Sequence, residues 1–174
     1  MRKLPFGIIE AVQIITSRKT GEWCKRPYPN HPKGCPNYGR EGCPPDAPFI
    51  TEIMDLKRPI CIAFSMFYLP AHVAKMKKAH PAWTERQLKN VLYWQSTSRK
   101  QMRQRAKLAQ FLRGGDLVLT CPEAHGVNVY STCKIAGMKL QKIKYLTTCR
   151  HIALIGFKYS KPLNRDRAKG RPAC

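Results

Sequence analysis

What this 174-residue chain is short of is negative charge: ten Asp and Glu stand against 32 Lys and Arg, for a formal net charge of +22. So few carboxylates, with no obvious pair among them, speak against chemistry that needs two paired acids. No run approaches the ~18 apolar residues of a bilayer-spanning helix. Neither GxxxxGK followed by Ser or Thr nor GxSxG occurs, so the usual phosphate-cradling loop and nucleophile elbow are absent. There is no internal repeat, and the short C-x2-C or C-x4-C knuckles usual for zinc are missing. The opening MRKLPFGIIEAVQIITSRKT is basic and then apolar. Glu10 and Gln13 interrupt it and no small-residue cleavage site follows, so it reads as a first strand and not as an export signal. On this reading the protein is cytoplasmic. Its eight cysteines are then metal ligands or free thiols in preference to four disulfides.

What is abundant is positive charge, far beyond the needs of solubility. A field of +22 opposes compaction unless a polyanion lies against it. Nucleic acid, RNA or DNA, is the first candidate partner; an anionic membrane surface or a protein with an acidic face are others. The length suits one domain, which at this size buries about 70% of its unfolded surface and folds without covalent staples.

The pattern along the chain predicts an α/β or α+β fold with a small mixed sheet of about four strands and flanking helices. Strands are expected at 8–16, 59–69, 116–120 and 151–159, each apolar and rich in β-branched residues. A short helix is expected around FITEIMDL. From 71 to 113 the pattern is helical, broken at His80-Pro81. Thr84 with Gln87 makes a capping box that starts a helix over 84–113, ended by Gly114-Gly115. On that helix Leu88, Val91, Leu92, Met102, Ala106, Ala109 and Leu112 share an apolar face. Asn128 caps a further helix that stops at Gly137. Residues 1–159 form the domain and 160–174 a basic tail, expected to be disordered.

Between about 23 and 48 the chain holds three cysteines among closely spaced prolines, which neither helix nor strand accommodates. Cys24, Cys35 and Cys43 are spaced C-x10-C-x7-C; Cys35, Cys43 and the distant Cys121 each precede a proline. Three Cys-Pro steps compare with about 0.6 expected from composition. Proline after a ligand fixes the backbone and removes an amide donor, as beside the last cysteine of bacterial ferredoxin motifs. Bare thiolates gathered in one loop repel one another, and a metal removes the conflict. Ligand type and wide spacing favour an iron-sulfur cluster, 4Fe-4S, over zinc. Cys121, at a strand end, is the choice for fourth ligand; Cys149, Cys133 and His125 are alternatives. Cys61 reads as a core residue and Cys174 as a free thiol.

GCPNYGREGCPPDAP resembles the signature of a family of small, largely uncharacterised proteins predicted to bind metal, which share a GCPxYG...CPP core preceded by an earlier cysteine, here Cys24. PEAHGVNVYSTCKIAGM is similar to that family's later segment. The resemblance implies cluster binding by Cys24, Cys35, Cys43 and Cys121 and implies no reaction. This chain departs from the family in having only Cys121 before PEA, where members carry further paired cysteines, so a second cluster is not expected.

Arg86, Lys89, Lys100, Arg103 and Lys107 fall together on a helical projection, with Tyr93 and Trp94 nearby either to stack on bases or to fill the core. Five phosphate contacts would give a log-log salt slope of about −4. The leading expectation is a metal-binding, iron-sulfur protein acting on or beside nucleic acid. The alternatives are a non-enzymatic zinc-stabilised RNA- or DNA-binding module and an electron-transfer partner of an acidic enzyme.

Overall fold

The computed structural model describes residues 5–11, 13–27, 31–142 and 145–159. The expected tail, 160–174, with Cys174, lies outside them. Four strands form the main sheet: β1 (Ile8–Ala11), β2 (Ile60–Phe64), β4 (Leu117–Leu119) and β6 (Ile152–Gly156), in the order β1-β2-β6-β4. Every pairing is antiparallel, with Ile62 opposite Leu154 and Val118 opposite Ile155. Of the two expected classes, this sheet makes the fold α+β. Two two-residue strands, β3 (Phe67–Tyr68) and β5 (Thr148–Cys149), form a second small sheet.

All five residues of both β2 and β6 are buried. Their ICIAF and IALIG runs are apolar on both faces because both faces are covered. One face, with Ile62 and Leu154, packs against Ile50 and Met54 around helix α1 (Ile50–Ile53), against Val127, and against Val129 and Cys133 of α5 (Val129–Ile135). The other face presents Cys61, Ala63, Ala153 and Ile155 to Met102, Ala106 and Ala109 of the long helix α4 (Gln95–Arg113). Alanine on both sides lets the helix sit close to the sheet. Cys61 is the core residue expected.

The expected strand at 59–69 divides at Ser65-Met66. Ser65 is fully buried, and its hydroxyl is within 2.8 Å of Ser98 Oγ while accepting from His151 N at 3.1 Å. Ser98 Oγ in turn lies 2.9 Å from His151 Nδ1. This polar knot takes the chain out of the main sheet and into β3. Pro70, expected to close the strand, lies in the first turn of α2 (Leu69–Ala79), where its missing N–H costs nothing. The first strand likewise stops at Ala11, and Thr16 returns only as a single bridge to Val127.

The expected helix 84–113 is three pieces: α3 (Glu85–Leu88), one 3-10 turn (Val91–Tyr93) and α4. Thr84 and Gln87 do form the capping box. Asn90 then starts a new turn, its Oδ1 accepting from Leu92 N at 3.1 Å. The break lets Trp94 enter the core, 3% exposed and stacked on Phe67 at 4.7 Å. It also shifts the helical phase: Leu92 and Leu112 are exposed, 70% and 45%, and Ser98 joins Met102, Ala106 and Ala109 in the buried stripe. Asn128 caps α5 as expected, accepting from Ser131 N at 3.1 Å. No helix among the described residues is long and apolar enough to cross a membrane.

Candidate functional site

From 32 to 48 the cysteine loop is built of successive tight turns, not of helix or strand. Cys24 lies in a 3-10 segment, Arg18–Lys25, whose first turn is capped by Ser17 accepting from Lys19 N. That segment is anchored by Ser17 N donating to Gly126 O at 2.7 Å, and its first turn is tightened by the buried Thr20 hydroxyl donating to Ser17 O at 2.7 Å. Cys35 N donates to Cys24 O at 2.7 Å, bringing the first two cysteines together. Gly34 makes this possible. Its φ is +87°, and a Cβ there would meet the Cys24 carbonyl oxygen and come within 2.9 Å of Lys25 O. Turns at Tyr38 and Arg40, with Gly39 N donating to Pro44 O at 2.8 Å, carry the chain to Cys43. The peptide bond between Pro44 and Pro45 is cis.

The distant cysteine arrives from the other end of the domain. Cys121 directly follows β4 and precedes a second 3-10 segment, Pro122–His125. Three ties hold that segment beside the loop. Gly126 receives the Ser17 amide, Asn128 N donates to Ile15 O at 2.8 Å, and His125 Nδ1 lies 2.9 Å from Pro48 O. Since a carbonyl only accepts, His125 Nδ1 carries the proton in this contact. Gly126, at φ +81°, is required as well, since a Cβ would run into the Phe49 ring.

The electrostatics show how these pieces face one another. Burial pushes the Cys24 thiol above its ordinary pKa, and Cys35, Glu123, Cys43 and Cys121 each raise it further. The Cys121 residue is exposed, yet its thiol is raised by burial first and then by Glu123, with Cys43 adding to the rise and Arg99 opposing it. Three other thiols, together with the Glu123 carboxyl, therefore lie within electrostatic reach of Cys24. Among the described residues, no three His, Cys, Asp or Glu side chains stand close enough to hold a metal ion. A tetrahedral zinc site with Zn–S bonds of about 2.3 Å needs its sulfurs about 3.8 Å apart. The donors are of a type that binds metal, but among the described residues they do not come together closely enough to hold one ion.

The alternatives for fourth ligand are placed differently. Cys133 is fully buried in the core, its thiol pushed up to about 12 by burial and then by Glu123. Cys149, in β5, lines a cavity of about 290 Å³ that Cys121 and Glu123 also line; burial pushes its thiol up to about 11, against Arg150 and Arg99. None of the seven described cysteines is in a disulfide.

Two residues central to this site escape a reading of the sequence. Glu123 sits inside PEAH, where a carboxylate ordinarily signals a helix start; here burial raises its pKa, with its own backbone amide and Arg99 opposing. Arg99 lies off the expected basic face, and its charge reaches Cys121, Glu123, Cys149 and His151. The only sequence signal for Arg99 is its place one position after the buried Ser98, legible once the helix is known to restart at Gln95.

The five cations expected to bind phosphate are all exposed but not all on one helix. Lys100, Arg103 and Lys107 share a face of α4, whereas Arg86 belongs to α3 and Lys89 follows it. Lys89 Nζ is paired with Glu85 at 2.7 Å, which leaves it less available. Tyr93 is 50% exposed and stacks on Trp83 at 5.0 Å, which stacks on His80 at 4.0 Å. Trp94 is core. No protein-family profile, curated protein or solved structure matches this chain.

Proposed function

We propose that this protein binds metal through its Cys/Pro-rich loop, as an iron-sulfur cluster held by Cys24, Cys35, Cys43 and Cys121, and works on or beside nucleic acid through its basic surface. The observation that supports this reading is that, among the described residues, Cys35, Glu123, Cys43 and Cys121 each raise the pKa of Cys24 beyond what burial does. The raised pKa values of Cys24 and Cys121 keep these two thiols protonated until a cation displaces the protons, so loading is coupled to proton release and to closure of the loop. A cluster interposes its own iron and sulfide between the thiolates and tolerates a wider set of donors than one zinc ion. When bound it supplies iron that can take a sulfur atom or polarise a substrate, provided one iron lacks a protein ligand.

For the nucleic-acid half, support comes from the exposed Lys100, Arg103 and Lys107 on one face of α4 and from the half-exposed Tyr93 at the end of an aromatic stack. Rings presented in a row offer unpaired bases a surface to continue the stack. Anaerobic purification followed by a visible spectrum and iron, sulfide and zinc analysis tests the cluster. The expected result is a brown protein whose iron and sulfide fall together in Cys24→Ser, Cys35→Ser and Cys43→Ser. Zinc without sulfide would replace this reading with the zinc-stabilised module, and a folded, metal-free protein would end it. Cys121→Ala with full cluster content would mean an iron open to substrate. For the surface, filter binding of single-stranded RNA and DNA over a salt series should give a log-log slope of about −2, from three phosphate contacts. A slope near zero would refute phosphate contact.

A further inference from the structure

The cavity beside Cys121 is bounded by two turns of α4, the segment after β4, the start of α5 and the chain from β5 into β6. Three arginines line it: Arg99 and Arg103, one turn apart on α4, and Arg150 between β5 and β6. Among the described residues, Glu123 is the only carboxylate on its wall. Among the described residues the ion pairs are Lys89 with Glu85 and Arg113 with Glu10, so none of the three cavity arginines is paired with an acid. Arg150 moreover keeps its Nε buried with no hydrogen-bond partner, while its Nη2 meets only the weak acceptor Met66 Sδ at 3.8 Å. A guanidinium with a dry, unaccepted N–H beside a concave space is a donor short of an anion.

We propose that this cavity binds a phosphate monoester, its phosphoryl group held by Arg99, Arg103 and Arg150 and its organic body lying against Val129, Leu140, Leu146 and Ile152. Three guanidiniums and one carboxyl leave an excess of positive charge that a phosphate dianion balances and a single carboxylate does not. Guanidinium forks also match phosphate oxygens two at a time. A volume of about 290 Å³ lies at the small end for organic ligands, the size of a mononucleotide or less. The apolar wall gives the non-phosphate part a place to be buried. Arg99 lines the cavity together with Cys121, Glu123, Cys149 and His151. The same phosphate chemistry comes from two sources, a free small phosphate ester or the terminal phosphate of a nucleic-acid strand. The inference stands on the arginines and the cavity, not on metal at the cysteines.

The test is isothermal titration of the full-length protein with adenosine monophosphate, inorganic phosphate, adenosine and benzoate, in the wild type and in Arg99→Gln, Arg150→Gln and Lys78→Gln. Adenosine monophosphate is expected to bind at least tenfold more tightly than adenosine or benzoate. That affinity should fall at least tenfold in Arg99→Gln and Arg150→Gln and stay unchanged in Lys78→Gln, an exposed residue that does not line the cavity. Arg99 is an exposed residue, so its replacement leaves the core alone. Oligonucleotides differing only in a 5′-phosphate separate the sources: a preference for the phosphorylated strand that Arg99→Gln abolishes assigns the strand end, and no preference assigns the free ester. Equal binding of benzoate, no binding of either phosphate, or unchanged affinity in folded Arg99→Gln and Arg150→Gln would overturn the proposal. None of these outcomes depends on cluster content, which is measured separately on the same samples.

Discussion

Replacing Gly34 by Ala places the perturbation at the closest approach in the cysteine loop. A methyl group there meets the Cys24 carbonyl oxygen, comes within 2.8 Å of the Lys25 carbonyl carbon, and must be held at φ +87°. A left-handed conformation costs an L-residue about 1–2 kcal/mol. Relieving the clash opens the hydrogen bond from Cys35 N to Cys24 O, now 2.7 Å, for about 0.5–1.5 kcal/mol more. The sum is about 1.5–3.5 kcal/mol in the conformation that brings two thiols together, which at ~1.4 kcal/mol per decade is about a 10- to 300-fold weaker hold on metal. The sheet and its two packed faces lie elsewhere, so the melting temperature of the metal-free protein should move little. Gly39→Ala is the control: φ is +80° but nothing lies within 4 Å of the added methyl, so only the backbone strain remains and about a fivefold loss is expected. Anaerobic competition with a chelator reads both affinities. Gly34→Ala holding metal as tightly as the wild type would show that the approach of Cys35 to Cys24 has no part in binding.

Other expectations follow from the core and its polar knot. Ser98→Ala leaves His151 Nδ1 and Ser65 Oγ each short of a partner now at 2.9 and 2.8 Å, and should cost about 1–3 kcal/mol in denaturant unfolding; no loss would mean that water replaces the hydroxyl. Burial, with Arg99 adding to it, holds the His151 pKa down at about 4 from 6.5, and burial with Lys75 lowers His72 in the same direction. The unfolded chain then takes up protons near 6.5 that the folded one refuses, so stability present above pH 6.5 is lost as pH falls toward 4. The full His151 shift is worth about 3 kcal/mol, and solvent at the partly open ring reduces it to about 1–2; equal unfolding midpoints at pH 7 and pH 5 would contradict this. Cys133→Ser puts a hydroxyl where the thiol is 0% exposed among apolar neighbours and should cost about 1–3 kcal/mol with metal content unchanged, whereas loss of metal in a still-folded protein would make Cys133 a ligand.

Local rules carried the sequence reading wherever a local rule decides the structure. Thr84 with Gln87, Asn128, and the stop at Gly114 were legible because a cap needs only its own turn. The buried strands β2 and β6 were legible as apolar runs, although the run from 59 to 69 concealed a turn at Ser65, whose reason is a hydrogen bond to Ser98, 33 residues away. The helix phase failed at Asn90, where one side-chain cap restarts the count and turns Leu92 and Leu112 outward. Within the candidate site, the Cys-Pro steps single out Cys35, Cys43 and Cys121 and the loop spacing adds Cys24, whose pKa the other three raise. Glu123 and Arg99 went unnoticed, since their role lies in facing residues far along the chain and neither spacing nor type distinguishes them from surface charges.

The convergence of the thiols on one inorganic centre is tested most directly by alkylating the anaerobically purified protein and locating the label residue by residue, before and after a chelator is added. Cys24, Cys35, Cys43 and Cys121 should be protected together and become reactive together when metal is withdrawn, while the buried Cys61 and Cys133 stay slow in both states. Four thiols that react independently, at rates the chelator does not change, would contradict the account.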